Sequence, residues 1–178
     1  MASLEKTPTL FYSRLTQIER KTVKQIVGVS TRFLYNKQVP IFMIAGVGGI
    51  LRRSDPSVAR DIDLAVVCYD FVKERSYLDL SWKLSNELES ELNNVKAYWG
   101  SSYNGPITPE SIKIILPSNC RKIDISFISY MSISEWKSKQ EKFWNSWRIE
   151  NDDKYEKPIP LLYYAILSEY DKNNSKAL

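Results

Sequence analysis

Three of the six glycines in this 178-residue chain fall between Gly46 and Gly49, inside Ile44–Val67, which reads IAGVGGILRRSDPSVARDIDLAVV. Apolar residues precede the cluster and an apolar alternation follows it, so the stretch predicts strand, glycine turn, basic loop and second strand. Glycines packed this densely mark backbone that side-chain-bearing residues do not adopt, or backbone that something else approaches closely. The second strand opens with two carboxylates, Asp61 and Asp63. Residues two apart in a strand share a face, so these two project together, with Ile62, Leu64 and Val66 on the opposite, buried face. Two carboxylates so close repel each other unless a cation lies between them.

Composition narrows the chemistry. The chain contains no histidine, which removes Ser-His-Asp and Cys-His nucleophile systems together with histidine-ligated zinc. Its two cysteines, Cys68 and Cys120, are too few for a disulfide framework or a four-thiolate zinc site and read as buried thiols. What remains is carboxylate chemistry with a hard cation such as magnesium. The length suits one domain. No apolar run approaches a membrane span and the N-terminus lacks a signal peptide's apolar stretch, so no membrane partner and a cytoplasmic location are expected. The net charge of +4 leans mildly toward a phosphate-bearing partner.

Along the chain, residues 1–12 read as a loose lead-in. Residues 13–149 read as the main domain, and 150–178 as a linker and closing helix packed on it. Apolar spacing predicts a helix over Ser13–Lys37, kinked or weakened at Gly28. Its charges Arg20, Lys21, Lys24 and Arg32 read as a solvated face rather than a nucleic-acid surface. Pro40 ends it and Ile41–Ala45 forms a strand. After the loop Arg52–Arg60 and the strand Asp61–Cys68, Leu80, Leu84, Leu88 and Leu92 define a helix over Lys73–Asn94. Short strands follow at Val95–Trp99, Ser111–Leu116 and Lys122–Ser129, the last two joined by a hairpin turn at 117–121.

Ser132 and Glu135 form a capping box for a helix to Arg148. Its stripe Trp136, Phe143 and Trp147 reads as core, or as the contact of a homo-oligomer, before a base-stacking platform. A polar linker over Glu150–Lys157 leads to the closing helix near Leu161–Asp171. The order predicts an α/β (α+β) domain: a small mixed sheet flanked by helices.

Asp124 is the third carboxylate of interest. It shares a strand face with Lys122 and Ser126, while Ile123, Ile125 and Phe127 take the other. Lys122 would compensate it in a purely structural role; a metal shared with Asp61 and Asp63 is the functional alternative. In the structural reading Asp124 lies far from the pair and all three are surface groups. Backbone N–H groups at Gly48 and Gly49 would cradle phosphate, and Arg52 and Arg53 would neutralise charge on a leaving group.

Gly48-Gly49, then Asp61-Ile-Asp63, then a distal Asp124 on a later strand resembles the nucleotidyltransferase superfamily of DNA polymerase β. Gly48-Gly49-Ile50-Leu51-Arg52 is also similar to the G-G-x-V-R start of CCA-adding enzymes and poly(A) polymerases. In size the chain is nearer minimal nucleotidyltransferases, including those of toxin–antitoxin and abortive-infection systems. The resemblance spans residues 41–129 and is sharpest over 44–67. It implies a nucleotidyltransferase fold in which Asp61, Asp63 and Asp124 hold two magnesium ions, or manganese in their place. The implied reaction moves a nucleoside monophosphate from ATP or another nucleoside triphosphate to a hydroxyl, with Asp124 helping to deprotonate it. The acceptor is left open among RNA, protein and small molecule. Many members carry Ser or Thr where Gly49-Ile50 stand here. That departure favours the alternative: a silent member of the fold binding a nucleotide, nucleic acid or protein.

Overall fold

The computed structural model describes residues 8–39, 41–52, 55–69, 74–93, 95–99, 111–116, 120–130, 132–150 and 164–169. Among them the helices are α1 (Pro8–Ser13), α2 (Gln17–Asn36), α3 (Gly49–Arg52), α4 (Glu74–Glu91) and α5 (Ile133–Glu150). The strands are β1 (Ile41–Val47), β2 (Asp61–Tyr69), β3 (Lys96–Trp99), β4 (Ser111–Ile115), β5 (Lys122–Tyr130) and β6 (Ala165–Glu169). They form one mixed sheet in the order β3-β4-β5-β2-β1-β6, in which β2 and β5 run parallel and the other neighbours antiparallel. The expected α/β class, a mixed sheet flanked by helices, is what the chain adopts.

Both faces of the sheet carry a core. On one face Ile44, Ile62, Leu64, Val66, Ile112, Ile114, Ile123 and Ile125 pack beneath Val23, Ile26, Phe33 and Leu34 of α2 and Leu80, Leu84 and Leu88 of α4. On the other, Met43, Ala45, Ala65 and Val67 meet Trp136 of α5 and Tyr164. Trp136 is fully buried, as the core reading of its stripe requires. The side chains of Phe143 and Trp147 lie outside the described residues. Ser132 caps α5 as its sequence suggests, its Oγ accepting from the Glu135 N–H at 3.1 Å.

Three expectations are corrected. The lead-in over residues 1–12 contains α1, opened by Pro8 at the first helical position, where its missing N–H costs nothing. Phe11 of α1 is fully buried against Gly46, where a Cβ would lie 2.5 Å from the ring. Gly46 therefore belongs to β1 and makes room for α1, rather than forming part of the turn. The closing helix near 161–171 is instead the edge strand β6, paired with β1 from Met43↔Glu169 to Gly46↔Ala165. Short apolar runs do not distinguish helix from strand by period, and here the open edge of β1 supplied backbone partners. Gly28 lies within α2, which runs unbroken through it.

The start of α2 is fixed by an ion pair that ties distant segments together. Thr16 caps the helix and Glu19 returns the bond to the Thr16 N–H at 2.9 Å, a capping box. The buried Glu19 carboxylate also accepts from Arg121: backbone N–H at 3.0 Å, Nε at 2.9 Å and Nη2 at 2.7 Å. Arg121 donates onward to the carbonyls of Pro56 (2.6 Å) and Arg14 (3.2 Å), and Arg14 donates to that of Ile50. Thus the α1–α2 turn, α3, the 3-10 turn Pro56–Val58 and the residue before β5 share one polar knot. Burial pushes the Glu19 pKa up, but the hydrogen bonds from Arg121 and Thr16 and the guanidinium charge overcome it and hold it at about 2.

Removing one partner of a buried, hydrogen-bonded ion pair leaves the other charge uncompensated. Glu19→Gln is therefore expected to destabilise the fold by about 3 kcal/mol in urea titrations at pH 7. Because the folded pKa is depressed from 4.5 to about 2, the stabilisation is complete above pH 4.5. The gap between wild type and Glu19→Gln should close as pH falls from 4.5 toward 2, and a gap constant over that range would contradict the assignment.

Candidate metal centre

Asp61 and Asp63 stand at the start of β2, and Asp124 near the start of β5, its parallel neighbour. The register sets Asp63 opposite Asp124 and Asp61 opposite Lys122. Parallel partners share a face, and each of the three carboxylates offers an oxygen such that these atoms all lie within 4.8 Å of one another. All three are half-buried at the end of the sheet face that, further along, is covered by Trp136. The reading in which Asp124 stands apart as a surface group is thereby set aside.

The local charge is unbalanced. Lys113 of β4, opposite Asp124 in the next pair of strands, places Nζ 3.7 Å from Asp124 Oδ1: an ion pair, but too long for a hydrogen bond. Oδ1 itself is buried and accepts no hydrogen bond. Burial, and after it the charge of Asp61, raise the Asp124 pKa, against the pull of Lys113 and Lys122. Lys122 was the compensating cation expected from sequence; Lys113, eleven residues upstream, is the closer one, and only strand pairing reveals it.

The glycine turn abuts the carboxylates. Gly48 has φ +80°, and a Cβ there would lie 1.8 Å from Asp63 Oδ2. Glycine is required twice over, for the left-handed backbone and for the space the carboxylate occupies. Gly49 opens α3, whose Ile50 and Leu51 are fully buried and whose Leu51 N–H donates to the Gly48 carbonyl at 3.2 Å. Ile50 thus anchors the turn through the core and presents no hydroxyl. Arg52 ends α3, though its side chain, like the whole of Arg53, lies outside the described residues.

Three converging carboxylates, one with an orphaned buried oxygen, suit a hard cation. Oxygens around magnesium lie about 2.1 Å from the ion, so opposite ligands stand about 4.2 Å apart. Mutual separations of at most 4.8 Å put the three oxygens near enough to share one ion. Among the described residues no soft ligand joins the cluster, which argues for magnesium or manganese over zinc or copper.

No protein-family model matches the chain, and a search of curated proteins finds no similar sequence. Among the described residues, no helix is long and apolar enough to cross a membrane.

Manganese or magnesium is expected to raise the thermal midpoint of the wild-type protein. Gly48→Ala should abolish that increase while itself costing about 1–2 kcal/mol in left-handed strain alone. Gly28→Ala is the contrast: its Cβ meets nothing within 4 Å. It should stabilise α2 by roughly 0.5–1 kcal/mol and leave the metal response intact. A metal response that survives Gly48→Ala would separate the turn from the site.

Proposed function

We propose that the protein is a magnesium-dependent nucleotidyltransferase, moving a nucleoside monophosphate from a nucleoside triphosphate such as ATP to a hydroxyl and releasing pyrophosphate. The observation that carries this reading is the convergence of Asp61, Asp63 and Asp124 beside a left-handed glycine turn. Asp61, Asp63 and Asp124 would hold the magnesium. Bound there, the ion supplies positive charge to the triphosphate and to the oxygen that leaves with pyrophosphate. The protein's part is to fix the carboxylates on adjacent strands, so that little reorganisation accompanies the reaction.

Asp124 is the residue suited to take the acceptor's proton. Its carboxylate stands beside Asp61 and Asp63, and its Oδ1 has no hydrogen bond to lose. Backbone at Gly48 and Gly49 lies beside the carboxylates and suits the approach of phosphate. Arg52 and Arg53 remain the candidates for charge on the pyrophosphate. Neither cysteine forms a disulfide, in keeping with a cytoplasmic enzyme drawing on the nucleotide pool.

One observation favours a second reading. Ile50 is buried where the resembling family commonly uses a hydroxyl, so side-chain contact with the triphosphate is missing at that point. A silent member of the fold, binding a nucleotide or a macromolecule without turnover, would tolerate this.

Incubation with labelled nucleoside triphosphates, magnesium and candidate acceptors separates the two. Transfer that falls roughly 10³-fold in Asp61→Asn and in Asp63→Asn, and that stops on chelation, is the expected result. Nucleotide binding without transfer, unchanged in both variants, would establish the silent reading instead.

A further inference from the structure

On the α2 side of the sheet, the face turned away from the carboxylates, a groove of about 510 Å³ runs along α2. Tyr12 of α1 and Leu167 of β6 form its wall, and one stripe of α2 forms its floor. In that stripe Lys24, Val27, Gly28 and Thr31 stand at the spacing i, i+3, i+4, i+7, which outlines a hole for a knob from a neighbouring helix. Gly28, Thr31, Arg32 and Tyr35 outline the next hole along. Gly28 is a corner of both, and a Cβ there would meet nothing within 4 Å, so the middle of the groove stands open. Tyr35 at its far end is 41% exposed. Because β6 is the edge of the sheet, no described strand lies beyond it to close the groove.

Charge is uneven along the groove. The basic residues of α2 are Arg20, Lys21, Lys24 and Arg32, and its one carboxylate, Glu19, is buried against Arg121. Arg32 pairs with Glu91 and also feels Glu87, so the Tyr35 end carries no surplus of positive charge. At the other end Arg20 donates to the carbonyls of Tyr12 and Leu15, and Lys24 lies 5.2 Å from the centroid of the Tyr12 ring. Neither contact neutralises a charge. Arg20 and Lys21 stand one turn before Lys24 on the same face, so positive charge gathers at the Tyr12 end.

We infer that this groove docks an amphipathic helix of an acidic partner protein. Its apolar side chains fill the two holes, and carboxylates beside them meet Lys21 and Lys24. Such helices are read through anchors at i, i+3 or i+4, and i+7, the spacing that α2 offers in its holes. From Lys24 to Tyr35 the floor is about 16 Å long, three turns of a partner helix. A nucleic-acid strand would use the basic residues but leave the apolar holes empty.

The probe is a fluorescent helical peptide of about 18 residues with one stripe of leucines flanked by glutamates, read by anisotropy beside a peptide carrying lysines in place of the glutamates. Wild type should bind the acidic peptide more tightly, with an affinity that falls as salt rises. Gly28→Gln places a side chain in both holes and should abolish binding. It should leave the thermal midpoint equal or higher, since glutamine favours a helix over glycine. Lys24→Glu should weaken the acidic peptide roughly tenfold and favour the basic one.

No binding, equal binding of the two peptides, or binding unchanged in Gly28→Gln would overturn the inference. A lower midpoint in Gly28→Gln would overturn it by showing that this chain fills its own groove. A dimer in sedimentation velocity that Gly28→Gln disperses would give the groove to a second copy instead. An oligonucleotide that displaces the peptide would give the basic stripe to nucleic acid. None of these results touches the transfer reading, whose carboxylates lie on the other face.

Discussion

Everything proposed for the metal centre depends on the parallel pairing of β2 with β5. Nine residue pairs, from Asp61↔Lys122 to Tyr69↔Tyr130, set the register. Because side chains alternate with period two, a slip of one residue would turn Asp124 into the core and bring Ile123 or Ile125 to the carboxylates. The register is held from both ends of the physics. Ile62, Leu64 and Val66 on β2 and Ile123, Ile125 and Phe127 on β5 are buried on one face, so slippage would expose a full hydrophobic set. Arg121, the residue immediately before β5, is fixed by its bonds to Glu19 and to the Pro56 carbonyl, five residues before Asp61. The same guanidinium thus pins the entry of both strands.

That knot also links helix capping to the site. Glu19 caps α2 and neutralises Arg121, and Arg14 extends the network to the Ile50 carbonyl in α3. The glycine turn at Gly48 is therefore braced on one side by buried Ile50 and Leu51 and on the other by Asp63. Phe11 seated on Gly46 closes the arrangement from α1. Two glycines two residues apart serve different ends: Gly46 admits an aromatic ring to a strand, and Gly48 admits a carboxylate to a turn.

Much of this was legible in the sequence because it rests on local periods. Leu80, Leu84 and Leu88 declare α4, and the alternation after Asp63 declares β2. The three carboxylates were legible as candidates from strand parity and the absence of histidine. Their convergence was not, since it depends on which strands become neighbours. For the same reason strand parity points to Lys122 as the compensating cation, whereas pairing with β4 brings Lys113 to Asp124. Arg121 read as part of a hairpin turn, and its partnership with Glu19 spans about a hundred residues. The segment of β6 reads locally as a helix, but the edge of β1 decides its conformation, a tertiary choice that no local pattern records.

The central claim is that Asp61, Asp63 and Asp124 form one cation site. Crystals soaked in manganese and measured at its absorption edge test it most directly. The expected result is an anomalous peak about 2.1–2.2 Å from an oxygen of each carboxylate, with Lys113 withdrawn from Asp124. Crystals that show manganese elsewhere, or nowhere, with Lys113 still paired to Asp124, would contradict it.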